Sequence, residues 1–138
     1  MPRYLLDTNI CIYIAKRKPP EVLARFENLA AGELAMSLIT FGELHYGARR
    51  SANSTRALET IEALAAAIPV LTPDLAIADH YGEIRAHLAA AGTPIGSNDL
   101  WIAAHARSAD LTLVTNNAGE FRRVPGLRVE NWVAGGLA

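Results

Sequence analysis

Residues 4–10 read YLLDTNI, an apolar run that stops at a carboxylate, Asp7. Tyr4, Leu5 and Leu6 follow one another with no polar residue between them. A strand of that kind needs cover on both faces, which is the pattern of a parallel sheet held between helices. The next residues, NICIYIAK, read as a helix. A carboxylate thus stands on the last rung of a buried strand, just where a helix begins.

The same alternation continues along the chain. Pro19 and Pro20 stop the first helix and open a second through EVLARFENL, since proline fits the first helical turn. LAMS is a second strand and leads into the helix ITFGELHYGARR. In STRALETIEALAAAI, Leu58, Ile61, Leu64 and Ile68 form one stripe at helical spacing. Val70-Leu71 is a short strand, and PDLAIADHYGEIRAHLAAAG is a long helix ended by Gly92. SNDLWIAAHARSA is another helix, followed by the strands LTLVT and LRVENW. Strands alternating with helices predict an α/β protein: three layers, α/β/α, around a central and mainly parallel sheet.

The bulk numbers agree with a globular domain. At 138 residues the chain fits a single domain, expected over 1–134, with 135–138 as a frayed tail. Hydrophobic residues make up 51% and charged residues 20%, and the net charge of −1 excludes a global basic field for nucleic acid. Local clusters, Lys16-Arg17-Lys18, Arg49-Arg50 and Arg122-Arg123, read as solvated surface or as RNA contacts. No apolar stretch reaches about 18 residues without a charge, and MPRYLLD lacks the build of a signal peptide. A cytoplasmic protein with no membrane partner is therefore expected. The single cysteine, Cys11, excludes an internal disulfide and a multi-cysteine zinc site.

In open parallel sheets, ligands bind beyond the carboxyl ends of the strands, near the point where strand order reverses. Asp7 follows the first strand directly. Glu43 is expected in the first turn of the helix after LAMS, and Asp99 in the first turn of the helix from Ser97. Asn116-Asn117 follow LTLVT. Each also has a capping reading. Asp7 and Asn9 are good N-cap types, Thr40-Phe41-Gly42-Glu43 matches a capping box, and Asp99 complements a helix amino end. The coincidence of Asp7, Glu43 and Asp99 at one sheet edge favours a site. Three carboxylates brought together repel unless a cation offsets them, and such oxygen ligands suit Mg²⁺ or Mn²⁺. Asp110 precedes a strand and belongs to the opposite edge, whereas Asp74 follows Val70-Leu71 and either shares the site or caps. The four histidines, His45, His80, His87 and His105, read as structural or surface residues, and Trp101 as packing.

LLDTNI, ITFGEL, NDLWIAAHA and VTNNAGEF followed by GLRVENW stand in this order between Arg3 and Trp132. Together they resemble the PIN-domain ribonuclease toxins, the VapC family of type II toxin–antitoxin systems. The resemblance implies a Mg²⁺-dependent endoribonuclease, with Mn²⁺ as a substitute, that hydrolyses RNA to 3′-hydroxyl and 5′-phosphate ends. It also implies a homodimer silenced by a small cognate antitoxin, with tRNA as the first candidate substrate. By position, Asp7, Glu43 and Asp99 match the first three acids of such domains: Asp7 and Asp99 as metal ligands, Glu43 as a ligand, a water-orienting base, or both. The departure is Asn117, two residues after Thr115, where many PIN domains carry an acid. Glu120 can compensate from the following turn, and one metal per site is expected. Thr8, Asn9, Ser97 and Thr115 are candidates for hydrogen bonds to ligands or RNA phosphates, against an alternative role in caps and turns. Asn117 also keeps open a PIN-like module that binds RNA or protein without cutting. A phosphohydrolase of another class would want an acid where Asn9 stands.

Overall fold

In the computed structural model, which describes residues 2–133, Tyr4–Leu6 forms strand β1 with every side chain buried. The chain turns at once into helix α1, Thr8–Lys16, and then α2, Pro20–Glu27, with Pro20 in its first turn. A 3-10 turn at Ala31–Glu33 leads to β2, Leu34–Ser37, which is buried along its length. Helices α3, Leu38–Arg49, and α4, Ser54–Ala67, follow, then β3, Val70–Leu71. After α5, Ala76–Ala90, Gly92 turns the chain in the left-handed region at φ +71°, a conformation that glycine adopts without strain. Helix α6, Ser97–Ser108, precedes β4, Thr112–Val114; a short α7, Ala118–Phe121, precedes β5, Val129–Glu130.

The strands lie in the order β3-β2-β1-β4-β5 and every pairing is parallel, with Tyr4 opposite Leu34 on one side and Thr112 on the other. Successive side chains of a strand face opposite ways, and that alternation sorts the core. Leu6, Met36 and Val114 pack with Ile10, Leu44, Ile61 and Leu64 of α1, α3 and α4. Leu5, Ala35 and Leu113 pack with Ile84, Leu88, Ile102 and Phe121 of α5, α6 and α7. Helices cover both faces, as the unbroken apolar strands required. Leu5 and Leu6 are fully buried, worth about 1.5–3 kcal/mol each by transfer of their side chains from water. Trp132 meets the Tyr4 ring edge-on at 5.7 Å and ties the end of the described chain to its beginning.

Several local expectations are corrected. The helix after LAMS starts at Leu38, not near Thr40, because the Ser37 hydroxyl accepts the Thr40 N–H at 3.0 Å and takes the cap. Glu43 is therefore the sixth residue of α3, beyond the first turn, and no capping box joins it to Thr40. Asn9 is not a cap either; Asp7 holds that place and Asn9 lies within α1. Helix α7 was read as a turn, since four residues are too few to display a helical period. The expected tail at 135–138 lies outside the described residues. Among those described, no helix is long and apolar enough to cross a membrane.

Candidate active site

The chain runs from β1 to β2 on one side and reaches β4 on the other, so the strand order reverses between β1 and β4. Asp7 and Thr115 are the residues that leave those two strands at their carboxyl ends. The Asp7 N–H still donates to the Val114 carbonyl at 2.8 Å. One carboxylate oxygen of Asp7, Oδ1, accepts the Thr8 N–H at 2.8 Å, and Oδ2 accepts the Thr115 hydroxyl at 2.8 Å. Capping and site therefore coincide at this residue. A cap alone uses one oxygen; the second is oriented by a buried hydroxyl from the neighbouring strand, 108 residues away in sequence. The same Thr115 oxygen accepts the Asn117 N–H at 2.9 Å.

Glu43 reaches the same edge from α3. Its Oε1 accepts the Thr8 hydroxyl at 2.6 Å, and its Oε2 faces the Asn98 amide at 3.4 Å. Thr40, buried beneath, stands 3.2 Å from the Thr8 hydroxyl. Thr8 thus links the Asp7 strand end to Glu43, one residue contributing its N–H to the first acid and its hydroxyl to the second.

Asp99 comes in on the first turn of α6. Its Oδ2 lies 3.7 Å from where a Cβ at residue 96 would stand, ordinary contact distance, so the carboxylate sits against the backbone that leads into the helix. Glu120, on α7, accepts the Gly96 N–H at 3.4 Å through Oε1 and the Asn117 side-chain amide through Oε2. The position expected to lack an acid is thus coupled to one, three residues on.

The electrostatics join these side chains into one field. Burial pushes the Asp7 carboxyl up, against the Thr115 and Thr8 hydrogen bonds, and the charges of Glu43 and Glu120 add to the rise. Asp99 is pushed up to about 7, by burial first, then by the charges of Glu120 and Asp7, a hydrogen bond with Glu120, and the charge of Glu43. None of the ion pairs among the described residues involves any of the four acids. A carboxyl raised in the folded state stabilises the fold while protonated, and that contribution is lost as pH rises through the folded value. The metal-free protein is therefore expected to lose melting temperature between about pH 4 and about pH 7, and Asp99→Asn should flatten that slope. Scanning calorimetry in chelator checks it; an equal slope in the variant would remove Asp99 as its source.

An oxygen-only donor set with uncompensated charge fits a hard divalent cation. Among the described residues no three His, Cys, Asp or Glu side chains stand close enough to share an ion outright. Such an ion could take one or two carboxylates directly and keep several of its waters. Asp7, Asp99, Glu43 and Glu120 are the carboxylates that could hold such an ion, directly or through water.

The remaining candidates separate. Asn9 and Ser97 are exposed and take no part in the hydrogen bonds just described. Asp74 stands just before Leu75, the cap residue of α5, where it accepts the Ala76 N–H at 2.9 Å, and it lines a different groove with Trp101 and His105. Asp110 pairs with Arg128 at 2.8 Å at the amino end of β4. His105 is buried and its pKa lowered by that burial, Trp101 stacks on Tyr81 at 3.8 Å, and Cys11 is buried with its thiol pushed up. Asn98 was not singled out in the sequence; its one legible signal was an amide beside Asp99 in a first helical turn.

Comparison with known proteins adds an independent line. The family model described as PIN domain matches residues 4–127. The chain is 49% identical over 133 residues to a protein named ribonuclease VapC2 from Haemophilus influenzae, covering 96% of this chain and 100% of that one. It is 50% identical over 132 residues to the tRNA(fMet)-specific endonuclease VapC of Shigella flexneri, covering 96% and 99%. Among solved structures, the DNA-bound VapBC complex of Salmonella typhimurium contains a chain that superposes with a TM-score of 0.90 at 45% identity, over 96% of this chain and 100% of that one. A chain of the Rickettsia felis VapBC2 complex, bound to a fragment of its promoter DNA, matches with a TM-score of 0.87 at 36% identity, covering 94% and 98%.

Proposed function

This chain belongs to the PIN domain family, among the VapC ribonucleases, and on that premise we propose that it is a Mg²⁺-dependent endoribonuclease, the toxic half of a toxin–antitoxin pair. Its reaction is hydrolysis of RNA phosphodiester bonds. The name of the Shigella flexneri relative makes tRNA the first substrate to try. The observation that carries the reading is the set of Asp7, Glu43, Asp99 and Glu120 around the β1–β4 crevice, with no cation paired to them among the described residues.

Asp7 and Asp99 would hold the divalent ion, Mg²⁺ or Mn²⁺ in its place, and the chemistry it would supply is Lewis-acid polarisation of the phosphate and a water of lowered pKa. The chain's own residues do the positioning. The Thr8 N–H and the Thr115 hydroxyl fix both oxygens of Asp7, so the carboxylate cannot rotate away. Thr8 and Asn98 hold the Glu43 carboxylate from either side, leaving it able to orient a water or take its proton. Asn117 contributes no charge, but its amide holds Glu120, which supports cleavage over mere binding. One ion per site is the reading we favour, since Asn117 brings no charge of its own.

The relatives crystallised as VapBC complexes support an antitoxin partner. A cation reaching from such a partner into the carboxylates would take the ion's place electrostatically. A homodimer and a cytoplasmic location complete the proposal.

The test is incubation of the purified protein with tRNA in Mg²⁺ and in chelator, followed by mapping of 5′ ends in cells expressing it, with Asp7→Asn as control. New 5′-phosphate ends only with the native chain and metal are expected. Cleavage that persists in chelator would remove the metal from the reaction, and RNA bound but left intact would favour the non-cleaving module. Asn117→Asp should tighten Mn²⁺ binding several-fold, because it adds a fifth charge beside Glu120. Calorimetric titration that finds the affinity unchanged would put residue 117 beyond reach of the ion.

A further inference from the structure

Helix α3 carries more than Glu43 into the cleft. Glu43, Tyr46 and Arg50 stand at i, i+3 and i+7 and so share one face, from the middle of α3 to Arg50, which caps its carboxyl end. Together with Thr8, Gly42, Gly47 and Asn98 they line an open groove of about 690 Å³, within the range of ligand sites. The groove begins at the Glu43–Asn98 contact and runs away from the crevice along α3. Tyr46 is 65% exposed, an unusual cost for an aromatic ring, and the Arg50 guanidinium lies over it at 5.2 Å from the ring centre. Among the described residues Arg50 forms no ion pair.

Two glycines on the groove wall point the same way. Gly42 and Gly47 lie within α3, where glycine weakens a helix. A Cβ at either position would meet nothing within 4 Å, so packing inside the chain does not require glycine there. What they do is keep the wall beside Tyr46 low.

We propose that Tyr46 and Arg50 form a nucleotide subsite flanking the cleavage centre, in which a base of the bound RNA stacks on the Tyr46 ring and its phosphate pairs with the Arg50 guanidinium. The inference rests on the ribonuclease reading above. An exposed ring is a stacking platform that tolerates any base, and a planar guanidinium is suited to phosphate. A strand that places one phosphate among four carboxylates also gains from a cation one step along, where the acidic field has ended. The groove's continuity with Glu43, and a guanidinium that no carboxylate pairs among the described residues, favour RNA over a protein helix as the occupant.

The experiment measures binding of a fluorescein-labelled single-stranded RNA by anisotropy, in an Asp99→Asn background that removes cleavage. Tyr46→Ala is expected to weaken binding about ten-fold, and Tyr46→Phe, which keeps the ring, to restore it. Arg50→Gln should reduce the dependence of log affinity on log salt by about 0.7, the loss of one phosphate contact. In the native background both substitutions should raise KM more than they lower kcat. Folded variants, checked by circular dichroism, whose RNA affinity and salt dependence equal the parent's would overturn the subsite. It would be overturned equally if those variants lost only antitoxin binding or self-association, for the face would then belong to a protein. RNA binding with the expected dependences in a protein that cuts no RNA would leave the subsite standing and sink the nuclease reading instead.

Discussion

Asp99→Asn should lower RNA cleavage by about a thousand-fold and, in the same protein without metal, raise the melting temperature. The two effects have one cause. Asp99 is half-buried beside Glu120, Asp7 and Glu43, and its carboxyl is pushed up to about 7 by burial and by those charges. At neutral pH the folded state holds that charge at a cost, which a divalent ion offsets and an amide abolishes. Asparagine keeps the shape and can still offer a carbonyl oxygen, so a fall in activity reports lost charge and not lost packing. A stable but inactive variant is the pattern expected where a site is organised for function at the expense of the fold. The measurements are kcat/KM on RNA in Mg²⁺ and calorimetry in chelator. Activity within a few-fold of native would show that Asp99 holds no ion; a lower melting temperature would show that its charge is already compensated.

Thr115→Val comes second in size and acts through Asp7. The Thr115 hydroxyl is fully buried and makes two hydrogen bonds, donating to Asp7 Oδ2 and accepting from the Asn117 N–H. Valine has nearly the same shape and can do neither. A lost hydrogen bond to a charged group costs about 1.5–3 kcal/mol, and an unfixed ligand typically costs about 10–100-fold in metal affinity or activity. The hydroxyl favours the ionised form of Asp7, so its loss should push that carboxyl further up. The penalty on stability is then largest at neutral pH and shrinks in acid, as Asp7 takes up a proton. Thr115→Ser, which restores the hydroxyl, should recover most of both effects. Denaturant unfolding at two pH values, alongside Mg²⁺ titration of activity, measures them. A valine variant with native stability and native metal dependence would reduce Thr115 to a turn former.

Some of the site was legible before any coordinates, and the reasons differ by residue. Asp7 stood out because its place after an unbroken apolar strand is expensive and the α/β pattern says where such strand ends converge. Glu43 was placed at the right edge but in the wrong turn, because the capping-box pattern at Thr40 competed with Ser37 and local sequence does not rank two adequate caps. Helix α7 escaped notice because four residues carry no period. Glu120 was named only as a substitute for a missing acid; its tie to Asn117 and to the Gly96 N–H joins segments that no local pattern relates. Tyr46 carries no signal in the sequence, because its exposure and its neighbour Arg50 are properties of the folded chain.

The alternation of strands with the longer helices, the two-sided burial of the sheet and the candidate acids Asp7, Glu43 and Asp99 were legible in the sequence alone, since apolar periodicity and strand-end position are local properties of the chain. Which oxygens face one another was decided by the tertiary structure. Thr8 meets Glu43 across 35 residues once β1 lies beside β2, and Thr115 meets Asp7 across 108 once β1 lies beside β4. The charge that defines this cleft likewise belongs to no single residue. It arises when packing carries several carboxylates into a region of low dielectric where each raises the cost of ionising the next.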